Sequence, residues 1–369
     1  MPGDFEGADW KRLASSVLKS SLGLRRGQSV IIDTWSHTLH AAEILAVEAR
    51  RLGIRPIILH LTEWAFYEAQ KAASAWNANA LSTVELAAVA ACDGYVVLPA
   101  SLVDFRRWDR LPLANRRAYE RRRTEWNRAL MRNSVRSVYW FASSVTASAA
   151  REFGVDLTRW RRENLRACAV SPSLFRREAK PIARRLLRGR RVTITHPNGT
   201  YLELGLSGRR AIIDDGVVDR SDLAAGRMGT TVPGGFMSVA LDERTADGTY
   251  ISNRPTRSRG GVIQGIHWTF RKGRLDRYEV DDGGALYDST YRTAGRERNR
   301  PAVLEIGLNP EIRDFPLAED QERGVLTLDI GHNEDLGGRT GGSYRQFAGL
   351  RGADLFIDDE PILRGGRKA

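Results

Sequence analysis

Cysteine is scarce: the 369 residues hold two, Cys92 and Cys168. A single pair cannot make a disulfide framework. Both lie in apolar or helical stretches, which suits small buried hydrophobes in a reducing cytosol. Long apolar runs are missing too. No stretch of 18 apolar residues occurs, so no membrane span is expected. Residues 1–10 carry three acidic side chains and no apolar run, unlike a secretory signal, and a cytoplasmic location is the expectation. Histidine is sparse, six in all, and only His196, His267 and His332 fall after residue 180. There is no Cys/His finger spacing and no RNA-recognition signature. A Walker loop, a G-x-G-x-x-G after a strand and a G-x-S-x-G elbow are also lacking, so nucleotide binding and a hydrolase-type serine nucleophile have no direct support.

What the chain does have is arginine. Lys plus Arg number 57 against 45 acidic residues, a net charge of +12. The densest run, Arg116-Arg117 with Arg121-Arg122-Arg123, reads as a solvated helix, and the chain shows no aromatic–basic alternation, so nucleic acid is not the expected partner. Apolar residues make up 42% of the chain, enough for sizeable cores, and its length favours two domains.

Periodicity divides the chain in two. Residues 8–22 have helical spacing, and Ser29–Asp33 is a short β-branched strand. His40–Leu52 is an amphipathic helix with Gly53 placed as its C-cap, and Arg55–His60 is the next strand. Helices at about 63–75 and 81–91, a strand at 94–98, a helix over 106–132 and a strand at 137–141 complete an alternation that implies a parallel sheet. Beyond about residue 180 glycine becomes frequent. Short strands follow at 191–195, 201–205, 262–270, 302–306, 325–330 and 355–357. The expected fold is therefore α/β. An N-terminal Rossmann-like parallel-sheet domain, 1–180, precedes a β-rich, antiparallel or barrel-like domain, 181–369, with the boundary near Lys180-Pro181.

The order of these segments resembles the thermophilic (M29) aminopeptidase family. The N-terminal half carries the likeness in LASSVLKSSLGLRRGQSVIIDTW and HAAEILAVEARRLGIRPIILHL. The C-terminal half carries it in VTITHPNGTYLELGLSGRR, TVPGGF (231–236), LEIGLNP (304–310), GVLTLDIG (324–331) and SYRQFA (343–348). The resemblance implies a homodimeric exopeptidase whose two bound cations polarise the scissile carbonyl and activate water. It also implies five metal-ligand positions. Glu305 is retained at one. Phe236 stands for a glutamate, Thr327 for a histidine, and Gln346 and Ala348 for a histidine and an aspartate. Four positions thus hold poor donors for zinc, cobalt or manganese. The changes at Gln346 and Ala348 equally oppose the iron site of the related dihydroxypyridine dioxygenases. No full metal site is expected; the cofactor is none, or a single divalent metal.

Other chemistry remains open. Thr327 and Asp329 are two apart on a strand and share a face. Glu305, Asp329 and His332 are candidates for a relocated single-metal site or an acid–base set. The alternative is that each carboxylate pairs with an arginine and His332 lies on a solvated loop. Phe236, Thr327, Arg339, Arg345 and Gln346 are candidate ligand-binding residues, the arginines for a substrate carboxylate. Asp214-Asp215 and Asp358-Asp359-Glu360 read as turns or surface, and His37 and His40 as loop and first-turn residues.

Three functions follow. The chain is a non-peptidase that binds a peptide or amino-acid-like ligand, as an accessory or biosynthetic protein. Or it is an enzyme of changed chemistry, metal-free or with one metal. Or it is an active metallopeptidase. A cleft lined by Phe236 and neighbouring tryptophans would favour binding; a buried carboxylate cluster without an arginine would favour catalysis.

Overall fold

The computed structural model describes residues 8–99, 107, 108, 110–258, 261–314, 316, 318–342 and 344–369. Residues 1–7, position 106 and Ser343, which the sequence reading used, lie outside these. The chain forms two compact units, Met1–Ala169 with Gly216–Pro233, and Val170–Asp215 with Gly234–Ala369.

In the first unit the apolar runs form four parallel strands: β1 (Ser29–Trp35), β2 (Arg55–Leu61), β3 (Gly94–Val97) and β4 (Arg136–Trp140). Their order is β2-β1-β3-β4, and the strand Gly229–Val232 joins β4 in parallel. This is the order of a doubly wound sheet. Alternate residues bury on opposite faces. Val30, Ile32, Val96, Val138 and Trp140 pack with Ala41, Ala42, Leu45 and Ala49 of the helix Leu39–Arg51. Ile31 and Tyr95 pack with Val89, Ala129 and Leu130 on the other face. The helix Leu39–Arg51 ends as its glycine requires: Gly53 has φ +73°, and the Ile54 amide donates to the Ala49 carbonyl at 2.8 Å. Among the described residues no helix is long and apolar enough to cross a membrane.

The second unit starts earlier than residue 181. The helix Pro172–Arg188 spans that point, and its Phe175, Ala179, Ile182 and Leu186 recur at helical spacing to enter the second core. Two antiparallel sheets share that core. One runs through the strands Thr256–Ser258, Gly261–Arg271, Asp247–Ile251, Thr200–Gly205, Arg191–His196, Asp354–Ile357, Glu360–Arg364 and Arg367–Lys368, with Arg274–Asp282 pairing off Gly261–Arg271. The other has five strands in the order Arg345–Arg351, Val325–Gly331, Pro301–Gly307, Phe236–Ala240, Ile212–Asp214. Met237, Val239, Leu304, Ile306, Leu326, Leu328, Ile330, Ala348 and Leu350 of this sheet point into the common core. The Tyr250 hydroxyl ties the sheets together, 3.0 Å from the Leu326 carbonyl and 2.9 Å from that of Ala348.

Candidate functional site

Because side chains alternate along a strand, the residues between those core positions occupy the opposite face of the five-stranded sheet. One cross-strand row reads Ser238, Glu305, Thr327, Gly349; the next reads Ala240, Val303, Asp329, Phe347. Glu305 and Asp329 are therefore diagonal neighbours on adjacent strands. Phe236 shares their face two residues from Ser238, and Arg345 does so two residues from Phe347.

This face is deeply buried at its centre. Glu305 is 5% exposed, Thr327 3% and Asp329 0%. The segment 319–322 lies across it: a methyl group added at Gly307 would meet the carbonyl oxygens of Glu322 and Asp320. Arginines hold that segment in place. Arg257 Nη1 is 2.5 Å from Glu319 Oε1. Arg254 Nη2 is 3.1 Å and Arg351 Nη2 2.6 Å from Glu322 Oε2.

Of the carboxylates beneath, Asp329 has one distant arginine and Glu305 has none among the described residues. Glu305 Oε2 and both Asp329 oxygens are buried and meet no hydrogen-bond donor among the described residues. Arg345 Nε stands 3.9 Å from Asp329 Oδ2, while Arg345 Nη2 is committed to Asp335 at 2.7 Å. Burial pushes the Glu305 carboxyl well above the usual range; the charges of Asp329 and Asp320 add to this and Arg345 opposes it. Burial likewise raises Asp329, with Arg345 opposing. Asp320, raised by burial and by its neighbour Glu319, reaches about 7. A face this desolvated favours the protonated form of each carboxyl.

Among the described residues no group of three or more His, Cys, Asp and Glu side chains is arranged to hold a metal. The strand neighbours of the two acids on their face are Phe236, Ser238, Ala240, Val303, Thr327, Phe347, Gly349 and the cation Arg345.

The architecture around this face has solved counterparts. Wild-type AmpT from Thermus thermophilus superposes with a TM-score of 0.72 at 17% sequence identity, over 98% of this chain and 99% of that one. The 2,5-dihydroxypyridine dioxygenase from Pseudomonas putida KT2440 gives a TM-score of 0.64 at 14% identity, over 99% of this chain and 98% of that one. The chain has the M29 aminopeptidase fold. No family model and no curated protein matches the sequence.

Within this M29-like fold the candidate residues separate. Glu305, Asp329, Thr327, Phe236 and Arg345 share one face of one sheet. Gln346 does not. It pairs with Ile330 and Ala348 pairs with Leu328, so both point to the core side, away from Glu305. The face positions on that strand are one residue earlier, at Arg345 and Phe347. His332 is also apart: its Nδ1 lies 3.1 Å from the Tyr344 carbonyl and its Nε2 3.8 Å from Asp335. Arg339 has an exposed side chain, and its backbone amide donates to Glu243 Oε1 at 2.7 Å. In the first unit, His37 Nδ1 pairs with Glu63 at 3.1 Å, and His40 with Glu43 at 3.2 Å. Asp215 is ion-paired with Arg176, and Asp359 with Arg191.

The sequence reading missed Phe347 and Asp320. Phe347 was accessible through the two-residue period once Arg345 is taken as a face residue. Asp320 comes from the single 3-10 turn Glu319–Gln321, and nothing in its local pattern announces that it lies against a strand pair.

Proposed function

We propose that this aminopeptidase-like chain has no two-metal peptidase site and that it binds an amino-acid- or peptide-like ligand at the face of the Glu305–Asp329 pair. The unpartnered oxygens of these two acids carry the reading. A buried carboxylate without a donor is costly, and in a working protein it is neutralised by a proton or by a bound cation. A ligand's ammonium group is such a cation. The donor set supports the absence of the metal centre: two cations need several carboxylates and imidazoles at close quarters, and here the strand positions around the acids hold two phenylalanines, a valine, an alanine, two hydroxyls, a glycine and an arginine, with Asp320 of the covering segment as a further carboxylate and no imidazole among them. Phe236 is half-buried and Phe347 is 43% exposed, so apolar contact for a side chain lies beside the acids on the same face.

A second reading has its own support. Glu305 has no arginine partner among the described residues, and both acids are raised toward neutrality. A carboxyl in that state is suited to general acid–base work, so an enzyme of changed, metal-free chemistry acting on the same ligand class is the alternative.

Two measurements test these readings. Metal content by mass spectrometry, after incubation with zinc, cobalt, manganese and iron, is expected to stay well below one ion per chain; about two per chain would restore the metallopeptidase. Calorimetric titration with amino-acid amides and short peptides is expected to show binding that Glu305→Gln abolishes. Turnover of a bound ligand, lost in the same variant, would establish the catalytic reading.

A further inference from the structure

The first unit has a cavity of about 400 Å³ at the end of its sheet opposite to the carboxyl ends of the strands. It is lined by Gly23, Arg25 and Gln28 before β1, by Cys92 and Asp93 before β3, and by Asn133, Ser134 and Arg136 at the start of β4. Arg220 and Leu223, from the segment that returns to this unit, complete it. Ligands of doubly wound sheets collect at the carboxyl ends. The fold itself therefore gives no reason for cations to gather here.

Three guanidinium groups nevertheless converge on this cavity. Among the described residues, none of Arg25, Arg136 and Arg220 has a carboxylate within ion-pair distance, in a chain where Arg209, Arg254, Arg257 and Arg351 all do. Arg136 makes one hydrogen bond, from Nη1 to the Gly23 carbonyl at 3.2 Å. The single carboxylate in the lining is already engaged: Asp93 accepts from Gln28 Nε2 at 2.9 Å and from the Ser29 amide at 2.8 Å. The cavity thus keeps an excess of positive charge. Half-buried Arg136 feels this, since burial and the charge of Arg25 both work against its protonation while Asp93 supports it.

We propose that this cavity binds a small dianionic oxyanion of the phosphate class, either inorganic phosphate or the head of a phosphomonoester. Guanidinium groups give paired, directional N–H donors that match a phosphate's oxygens, and three of them approach from three separate stretches of chain. Asn133 and Ser134 add polar groups at the wall, and the volume leaves room for a small organic portion beyond the phosphate.

The test is calorimetric titration of the whole chain with inorganic phosphate and with phosphoserine, at constant ionic strength set by chloride. Arg25→Glu and Arg220→Glu are the informative variants, because both side chains are exposed and neither holds another element in place. Saturable binding is expected, weakened at least about tenfold by each variant, with melting temperatures unchanged. Tighter binding of phosphoserine than of phosphate would identify the ester as the ligand; equal or weaker binding would identify free phosphate. No saturable heat up to about 10 mM of either probe, or binding indifferent to both variants, would overturn the proposal.

Discussion

Glu305 and Asp329 stand diagonally across two antiparallel strands, on a face buried beneath the segment 319–322, with carboxylate oxygens that find no donor. Both are raised above the ordinary carboxylate range, so the folded chain retains protons that the unfolded chain releases near pH 4. Stability should therefore fall as pH climbs from that value. Glu305→Gln and Asp329→Asn mimic the protonated forms and remove the penalty. Denaturant titration should find each variant close to the parent at pH 4 and more stable at pH 8. A variant less stable than the parent at pH 8 would show that the charged forms are compensated.

The parallel half was legible because its signals are local. Val30-Ile31-Ile32 and Tyr95-Val96-Val97 are apolar runs between capped helices, and Gly53 ends its helix with a positive φ. The strand Gly229–Val232 has no such signal; Gly229-Thr230-Thr231 becomes a strand because β4 offers it an open edge. Pro181, read as a boundary, lies inside a helix whose apolar stripe continues to Leu186. The candidate site was legible only in part. The reading named Glu305 and Asp329, but the resemblance put Gln346 and Ala348 at ligand positions, whereas the Arg345–Arg351 strand turns Gln346 toward the core side and Phe347 outward, 43% exposed. Only the ladder to Val325–Gly331 fixes which residues face the acids.

Asp33 supplies an independent test in the first unit. Burial raises its carboxyl to about 6, against the Tyr95 hydroxyl that donates to it. A rise from 3.8 to about 6 corresponds to about 3 kcal/mol of lost stability, developing as pH passes from about 4 to 6. Asp33→Asn keeps an acceptor for Tyr95 and loses the charge. Its melting temperature should match the parent near pH 4 and exceed it at pH 7.

Glu243 behaves in the opposite sense. Burial opposes its ionisation, but Arg209 in a two-pronged pair at 2.9 and 3.1 Å, the Arg339 amide and Asn333 hold it down at about 2. Its contribution is present above pH 4.5 and drains away as pH falls toward 2. Glu243→Gln should cost about 3 kcal/mol at pH 7 and progressively less on acidification, with the loop through Asn333 and Arg339 exchanging its amides first.

The segment over the carboxylate pair is held by charges that are themselves buried. Arg254 is 5% exposed and Glu322 7%; Arg254 pairs with both Asp314 and Glu322, and Arg351 reaches the same two acids. Removing Glu322 leaves the buried Arg254 with only the largely exposed Asp314 as its carboxylate, a loss of about 3 kcal/mol. Glu322→Ala should lower stability by that order and free residues 319–322 from the strands they cover. Water would then reach Glu305 and Asp329, and the burial that raises their carboxyl groups would weaken. The fall in stability from pH 4 to 8 attributed to the pair should flatten in this variant. An unaltered pH profile, together with the expected loss of stability, would mean that the segment stays in place without its contacts to Arg254 and Arg351, held by Arg257 and Glu319.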